Sequence, residues 1–71
     1  MILFTMIRDG MRFVFEEAGD GQYIEYMQVW EEGKDGAPGE WITQHTVSFL
    51  PKDVAKTFCA KLSTIGFAHA E

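Results

Sequence analysis

The sequence has a single cysteine, Cys59, among 71 residues. One cysteine excludes an internal disulfide framework and a zinc site built from several thiolates. Basic residues are also scarce, since six Lys and Arg stand against eleven Asp and Glu, which gives a formal net charge of −5. A chain of this charge repels phosphate and anionic lipid at long range. Indiscriminate binding to nucleic acid or to a membrane surface is therefore not expected.

Long apolar runs are missing as well. No segment approaches the ~20 apolar residues that a membrane-spanning helix requires. The apolar run at residues 1–7 stops at Arg8, and it is too short for a secretory leader. We expect a cytoplasmic protein with no membrane partner, in a compartment where its cysteine stays reduced.

Apolar and aromatic residues, by contrast, are plentiful at 46% and 14% of the chain, which excludes intrinsic disorder. The length predicts a single domain over residues 1–71. A chain of this size buries only about 60% of the surface that it exposes when unfolded, so it is marginally stable alone. With no disulfide available, self-association is the expected source of extra stability. A symmetric homodimer is the commonest form of it.

Turn signals divide residues 2–49 into four predicted strands of an antiparallel sheet, at 2–8, 11–16, 23–30 and 41–49. Asp9-Gly10 predicts a tight hairpin, because both residues tolerate the positive φ that a type I′ turn needs. Residues 18–21 (Ala-Gly-Asp-Gly) form the second break. The segment 31–40 contains three glycines and Pro38, which is typical of a loop.

The last third of the chain changes to helical periodicity, and we predict a helix over residues 51–65. Pro51 suits the first helical position, where its missing N–H costs nothing. Gly66 suits the left-handed residue that ends a helix, with Phe67 packing back on Leu62. Residues 66–71, which include His69, are expected to form a tail. The predicted fold class is α+β, in the order β-β-β-β-α.

The predicted helix carries one apolar stripe, whose members recur at spacings of four, four and three. We expect this stripe to pack partly on the sheet and partly across a dimer interface. Its members are Val54, Phe58, Leu62 and Ile65.

Aromatic residues on the predicted strands exceed what one helix can cover. A single helix shelters only one face of a sheet, so some rings must lie on the other face or at a subunit interface. The eight rings are Phe4, Phe13, Phe15, Tyr23, Tyr26, Trp30, Trp41 and Phe49.

Residues that could carry catalysis or bind a metal are few and scattered. The two histidines, His45 and His69, have no metal-ligand spacing, and no acidic metal loop is present. His45 is expected to be a packed or edge residue of the fourth strand. Cys59 is expected to behave as a small buried apolar residue. We therefore predict neither an enzyme nor a cofactor.

Two functions stay open at this point. In the first, exposed rings with basic neighbours bind single-stranded nucleic acid, since unpaired bases stack on rings without sequence reading. In the second, the chain is a small acidic regulator or inhibitor that docks on a host protein, with carboxylates imitating a phosphate ladder. A structural reading, with rings in the core and solvated charges, competes with both. The candidate nucleic-acid-binding residues are Arg8, Arg12, Phe13, Phe15, Tyr26, Trp30, Lys34 and Trp41.

Three segments follow one another in a recognisable order: the strand Ile24–Trp30, a loop containing Pro38-Gly39, and Val47–Asp53 at the helix start. Together they resemble the positive-cofactor-four family of small transcriptional coactivators and single-stranded-DNA-binding proteins. The similarity extends over about residues 12–65.

This resemblance implies a homodimer in which the helices pair across a two-fold axis and the curved sheets bind unpaired strands. Trp30 and Arg12 match the positions for base stacking and phosphate contact. The chain departs from the family in its loop, which is acidic at Glu31 and Glu32 where relatives carry a basic cluster. The resemblance thus implies the fold more firmly than the ligand.

Overall fold

In a computed structural model the described residues form an antiparallel sheet of six strands with one helix packed on one face. The structure describes residues 2–44 and 48–70. The elements in chain order are β1 (Ile2–Arg8), β2 (Met11–Gly19), β3 (Gln22–Glu31), β4 (Glu40–Thr43), β5 (Ser48–Pro51), α1 (Lys52–Thr64) and β6 (Ala68–Ala70). The α+β class and the antiparallel sheet are confirmed, whereas the sheet has six strands where four were predicted.

The predicted hairpin turn at Asp9-Gly10 and the predicted break at residues 18–21 both contain residues in the left-handed backbone region. Asp9 and Gly10 have φ of 42° and 77°, and Asp20 and Gly21 have φ of 52° and 71°. These values fit the two-residue turns that match the twist of antiparallel strands. The turns join β1 to β2 and β2 to β3, which form the centre of the sheet.

The predicted strand at 41–49 is replaced by two strands, β4 and β5, which both pair with β3. Thr43 lies opposite Gln28 and Ser48 lies opposite Glu25. Five steps along the chain therefore correspond to three steps along β3, so one continuous ladder is impossible. The prediction for His45 falls between the two strands and lies outside the described residues.

The helix begins one residue later than predicted. Pro51, with ψ of 154°, is still extended and paired with Gln22, and it caps α1 without a side-chain hydrogen bond. The predicted C-terminal closure is confirmed. Gly66 has φ of 97°, its N–H donates to Ser63 O at 3.3 Å, and the Phe67 N–H donates to Leu62 O at 3.0 Å. This is the paired hydrogen-bond pattern of a Schellman motif.

The predicted tail at 66–71 is wrong for residues 68–70, which form β6. Gly66 reverses the chain, and Ala68–Ala70 then pairs with Thr5–Ile7 of β1 at the edge of the sheet. His69 accordingly lies in a strand, with its ring 5.5 Å from that of Phe4.

The hydrophobic core lies between α1 and one face of the sheet, which we call the helix side. Its buried members are Met6, Phe15, Ala55, Leu62 and Phe67. Phe58 and Cys59 are partly buried against this cluster. Of the predicted helix stripe, Phe58 and Leu62 pack on the core, whereas Val54 and Ile65 are 45% and 56% exposed. That the exposed members lie at a dimer interface stays a prediction. The face of α1 that packs on the core also includes two smaller side chains, Ala55 and Cys59, which were not part of the predicted stripe.

Candidate functional site on the open face of the sheet

The side of the sheet away from α1, which we call the open face, carries the alternate residues of each strand. In β2, Phe13 and Phe15 point to the helix side, so Arg12, Val14 and Glu16 point to the open face. The register extends this set across the sheet. Open-face neighbours are Val14 with Tyr26, Arg12 with Gln28, Gln28 with Thr43, and Trp30 with Trp41.

A polar chain across three strands fixes Arg12 on this face. The Arg12 Nε–H donates to Gln28 Oε1 at 2.7 Å, and Gln28 Nε2 donates to Thr43 Oγ1 at 3.2 Å. The Arg12 guanidinium carbon lies 4.2 Å from the ring centroid of Trp41, over the ring. This is a cation–π contact, and it places the guanidinium between β2 and β4 above the intervening strand.

Trp30 is held in place by backbone on one side and remains 40% exposed. Its ring meets Trp41 edge to face, with centroids 5.4 Å apart and an interplanar angle of 70°. A Cβ at Gly39 would collide with the Trp30 ring and would lie 2.7 Å from Glu31 O, so only glycine allows the loop to pass this close. The indole N–H donates to Glu32 Oε1 at 3.2 Å. The loop between β3 and β4 thus positions a ring that solvent still reaches.

Tyr26 and Glu16 form a second polar group on the open face. Burial is the main cause that raises the pKa of Tyr26, and a hydrogen bond and charge from Glu16 raise it further, while the charge of Arg12 lowers it. Val14, on the neighbouring strand β2, also points to the open face, yet its side chain is completely buried. Its cross-strand neighbours, Thr5 and Tyr26, flank it on both sides.

Positive charge on the open face comes from Arg12. All six Lys and Arg lie within the described residues, and the other five are elsewhere. Arg8 points to the helix side, where it donates to Ile65 O at 2.6 Å and lies 3.6 Å from an Asp9 carboxylate oxygen. Lys34 is in the loop between β3 and β4, and the remaining three lysines are on α1.

Four of the eight predicted binding residues therefore come together on the open face: Arg12, Tyr26, Trp30 and Trp41. Phe13 and Phe15 are corrected, because strand alternation puts them on the helix side, with centroids 5.3 Å and 5.9 Å from Phe58. Phe15 is fully buried and has no surface on which a base could stack. Arg8 is on the helix side, and Lys34 is in the loop between β3 and β4, so neither lies on an open-face strand position.

Sequence reasoning missed Gln28 and Thr43, which connect Arg12 to β4. The only signal in the sequence was their alternation with apolar neighbours, which places them on the same face as Trp30 and Trp41. Neither residue type is diagnostic of a binding site by itself.

Outside the open face, the described residues show little that is chemically reactive. Burial raises the pKa of the Cys59 thiol, which disfavours the nucleophilic thiolate. Across residues 2–44 and 48–70, no three His, Cys, Asp or Glu side chains group together in a way that would bind a metal ion. In the same residues, no helix is long and apolar enough to cross a membrane.

No protein-family model, curated protein or solved structure matches this chain. The similarity to the positive-cofactor-four family accordingly stays a prediction from the sequence. Any functional assignment therefore rests on the open face itself.

Proposed function

We propose that this chain binds single-stranded nucleic acid through the open face, with unpaired bases stacking on Trp30 and on the guanidinium of Arg12. The observation that carries the proposal is the fixed group of Arg12, Trp30 and Trp41 on the face that α1 leaves uncovered. Stacking of a base on an exposed aromatic ring contributes about 1–3 kcal/mol. Arginine planes also serve as stacking surfaces for unpaired bases.

The spacing along β3 suits an extended strand. Tyr26, Gln28 and Trp30 recur every second residue on the open face, which separates neighbours by about 7 Å. Tyr26 and Trp30 are therefore about 13 Å apart along the strand. A single strand lying along β3 would meet a ring at each end of this row and Arg12 with Gln28 between them.

A homodimer is part of this proposal. Val54 and Ile65 are exposed, and they lie on the same side of α1 because eleven residues make about three turns. A groove on this side is lined by Asp53, Val54, Thr57, Phe58 and Lys61. Asp53 and Lys61 are each four residues from Thr57 along α1. If two helices pack antiparallel about a two-fold axis near Thr57, Asp53 of each protomer lies opposite Lys61 of its partner. Leu62, which was predicted to belong to the interface, is excluded from it because it is buried in the core of the protomer.

Such a dimer would carry two open faces and act without catalysis. Binding to unpaired strands through stacked bases suits a role in transcription regulation in the cytoplasm. Two linked sites also raise the apparent affinity for a strand long enough to reach both.

The proposal is tested by titrating a short labelled oligothymidine against the protein at low salt and following fluorescence anisotropy. Trp30→Ala is expected to weaken binding at least about fivefold, the lower end of the stacking range. Ser63→Ala is the control, because Ser63 is an exposed residue of α1, on the helix side of the sheet and away from the open face. A Trp30→Ala protein that folds normally and binds as tightly as the parent would refute the proposed site.

A second function is favoured by the carboxylates near the two tryptophans. Glu32 accepts the Trp30 indole N–H, and Glu31 lies opposite Glu40 where β3 and β4 meet the loop. With a net charge of −5, the chain would attract a basic segment of a protein partner. Failure to shift oligothymidine in a gel, together with recovery of a protein partner that Trp30→Ala no longer binds, would favour this function.

A further inference from the structure

We infer that the open face recognises the bases of a single strand and not its phosphates, so that an uncharged strand binds at least as tightly as DNA of the same sequence. This inference rests on the proposed function and specifies the chemistry of its ligand. Its basis is where the charges of the described residues lie.

Four of the six Lys and Arg lie on the helix side of the sheet, away from the open face. Lys52, Lys56 and Lys61 are on α1, which covers the helix side. Arg8 is also on the helix side and is bound to Ile65 O.

Lys34 lies in the loop between β3 and β4, in a groove that it shares with Glu31, Glu32 and Glu40. Three carboxylates there outweigh its charge, so Arg12 is the one cation that the described β-strands present to a nucleic acid on the open face.

Arg12 itself is already engaged. Its Nε–H is donated to Gln28, and its guanidinium carbon lies over Trp41. This leaves the outward surface of the guanidinium to meet the ligand, in a position where a base can stack on it. At most one phosphate would be neutralised by the remaining N–H groups.

Negative charge surrounds the same surface. Glu16 is on the open face beside Tyr26, and Glu32 is bound to the Trp30 indole. Together with the net charge of −5, these carboxylates repel a phosphate backbone. Removing the backbone charge would therefore remove repulsion and sacrifice at most one ion pair.

The test compares a short labelled oligothymidine with a peptide nucleic acid of the same bases, each titrated at about 50 mM and about 200 mM salt. We expect the peptide nucleic acid to bind at least as tightly as the DNA. We also expect the DNA affinity to fall by no more than about threefold between the two salt concentrations, because one neutralised phosphate on a single strand gives a slope of about −0.7. Trp30→Ala should weaken both probes.

Other outcomes separate this inference from the proposed function. DNA that binds through Trp30 but more than about tenfold tighter than the uncharged probe, or that loses more than about tenfold affinity across the salt range, overturns the inference and leaves the proposed function standing. Two probes that both fail to bind overturn the proposed function and the inference together. Arg12→Gln with Lys56→Gln as the charge-matched control gives an independent readout. If Arg12→Gln weakens binding of the peptide nucleic acid and Lys56→Gln does not, stacking on the guanidinium is supported. If Arg12→Gln leaves that binding unchanged, stacking on the guanidinium is contradicted.

Discussion

Arg12 on β2 lies over the indole ring of Trp41 on β4, with β3 between them and a distance of 4.2 Å from Cζ to the ring centroid. Gln28 of the intervening strand accepts the Arg12 Nε–H, so the guanidinium is held from below and from the side. A cation–π contact at an exposed site contributes about 0.5–1 kcal/mol. Its larger effect here is positional, because it turns a flexible side chain into part of a fixed aromatic surface.

We predict that Gln28→Leu weakens strand binding about three- to tenfold, because the Arg12 guanidinium loses the acceptor that orients it. The free energy of unfolding should fall by only about 1 kcal/mol, the usual contribution of one partly buried hydrogen bond. Binding is measured by anisotropy and stability by urea denaturation. Thr43→Val is the control, since it removes only the exposed end of the same chain of hydrogen bonds. Binding that is equally weak in both variants would contradict an orienting role specific to Gln28.

Phe15 and Phe49 provide a comparison of buried and exposed rings of identical chemistry. Phe15 is fully buried, whereas Phe49 is 65% exposed. Phe15→Ala should lower the free energy of unfolding by about 3–5 kcal/mol, because it leaves a cavity beneath α1. Phe49→Ala should change it by no more than about 0.5 kcal/mol. Urea unfolding, monitored by circular dichroism, measures both changes. Similar losses in the two variants would contradict a core that contains Phe15 and excludes Phe49.

Gly66 ends α1 with φ of 97°, where a side chain strains the backbone. Gly66→Ala should lower the free energy of unfolding by about 1 kcal/mol. An added Cβ would lie 3.4 Å from the Arg8 side chain, which is flexible and able to move. The loss therefore comes from the backbone. Gly66→Asn should cost less, since asparagine tolerates the left-handed region. Thermal unfolding distinguishes the two, and an equal loss in both variants would point to steric contact with Arg8 instead.

Glu25 makes stability depend on pH in the direction opposite to that of an ion-paired carboxylate. Burial raises its pKa above the ordinary value of 4.5, so the folded state binds its proton more tightly than the unfolded state does. The free energy of unfolding should therefore fall as pH rises from about 4.5 through the raised pKa. Glu25→Gln should be more stable than the parent at neutral pH and should lose this slope. Urea midpoints measured from acid to neutral pH test this, with Glu17→Gln, an exposed carboxylate on β2, as the control. A parent slope that survives in Glu25→Gln would exclude Glu25 as its source.

The proposed dimer predicts that Val54→Glu yields a monomer by sedimentation, because it places a charge on the exposed apolar side of α1. Ser63→Glu is the matched control. Nine residues separate the two positions, which puts them on opposite sides of the helix. We expect Ser63→Glu to remain dimeric. A parent protein that is monomeric at all concentrations measured would remove the dimer from the proposal and leave the open face unaffected.

Features that depend on a few neighbouring residues were predictable. Asp9-Gly10 forms its turn because both residues tolerate positive φ, and Gly66 ends the helix for the same reason. The strand count was not predictable in this way. β6 exists because Ala68–Ala70 meets the free edge of β1, which lies more than 60 residues earlier in the chain.

The candidate site was predictable only in part. Composition and strand assignment selected Arg12, Trp30 and Trp41, which the fold brings together, but they also selected Phe13 and Phe15. A list of aromatic strand residues does not say which face the helix will take. That depends on how α1 packs on the sheet, through contacts such as Phe15 with Phe58.

By itself, the sequence determined that Arg12 and Phe13 lie on opposite faces of β2, since successive side chains of a strand alternate. Only the tertiary structure decided which of those faces α1 would cover. Phe13 and Phe15 pack against Phe58, so the core took these rings and left Arg12, Trp30 and Trp41 on the other side. Burying the face that carries the phenylalanines removes apolar surface from water. Burying the other face would instead take the charge of Arg12 out of water, so the packing of α1 on the sheet decides which face is covered.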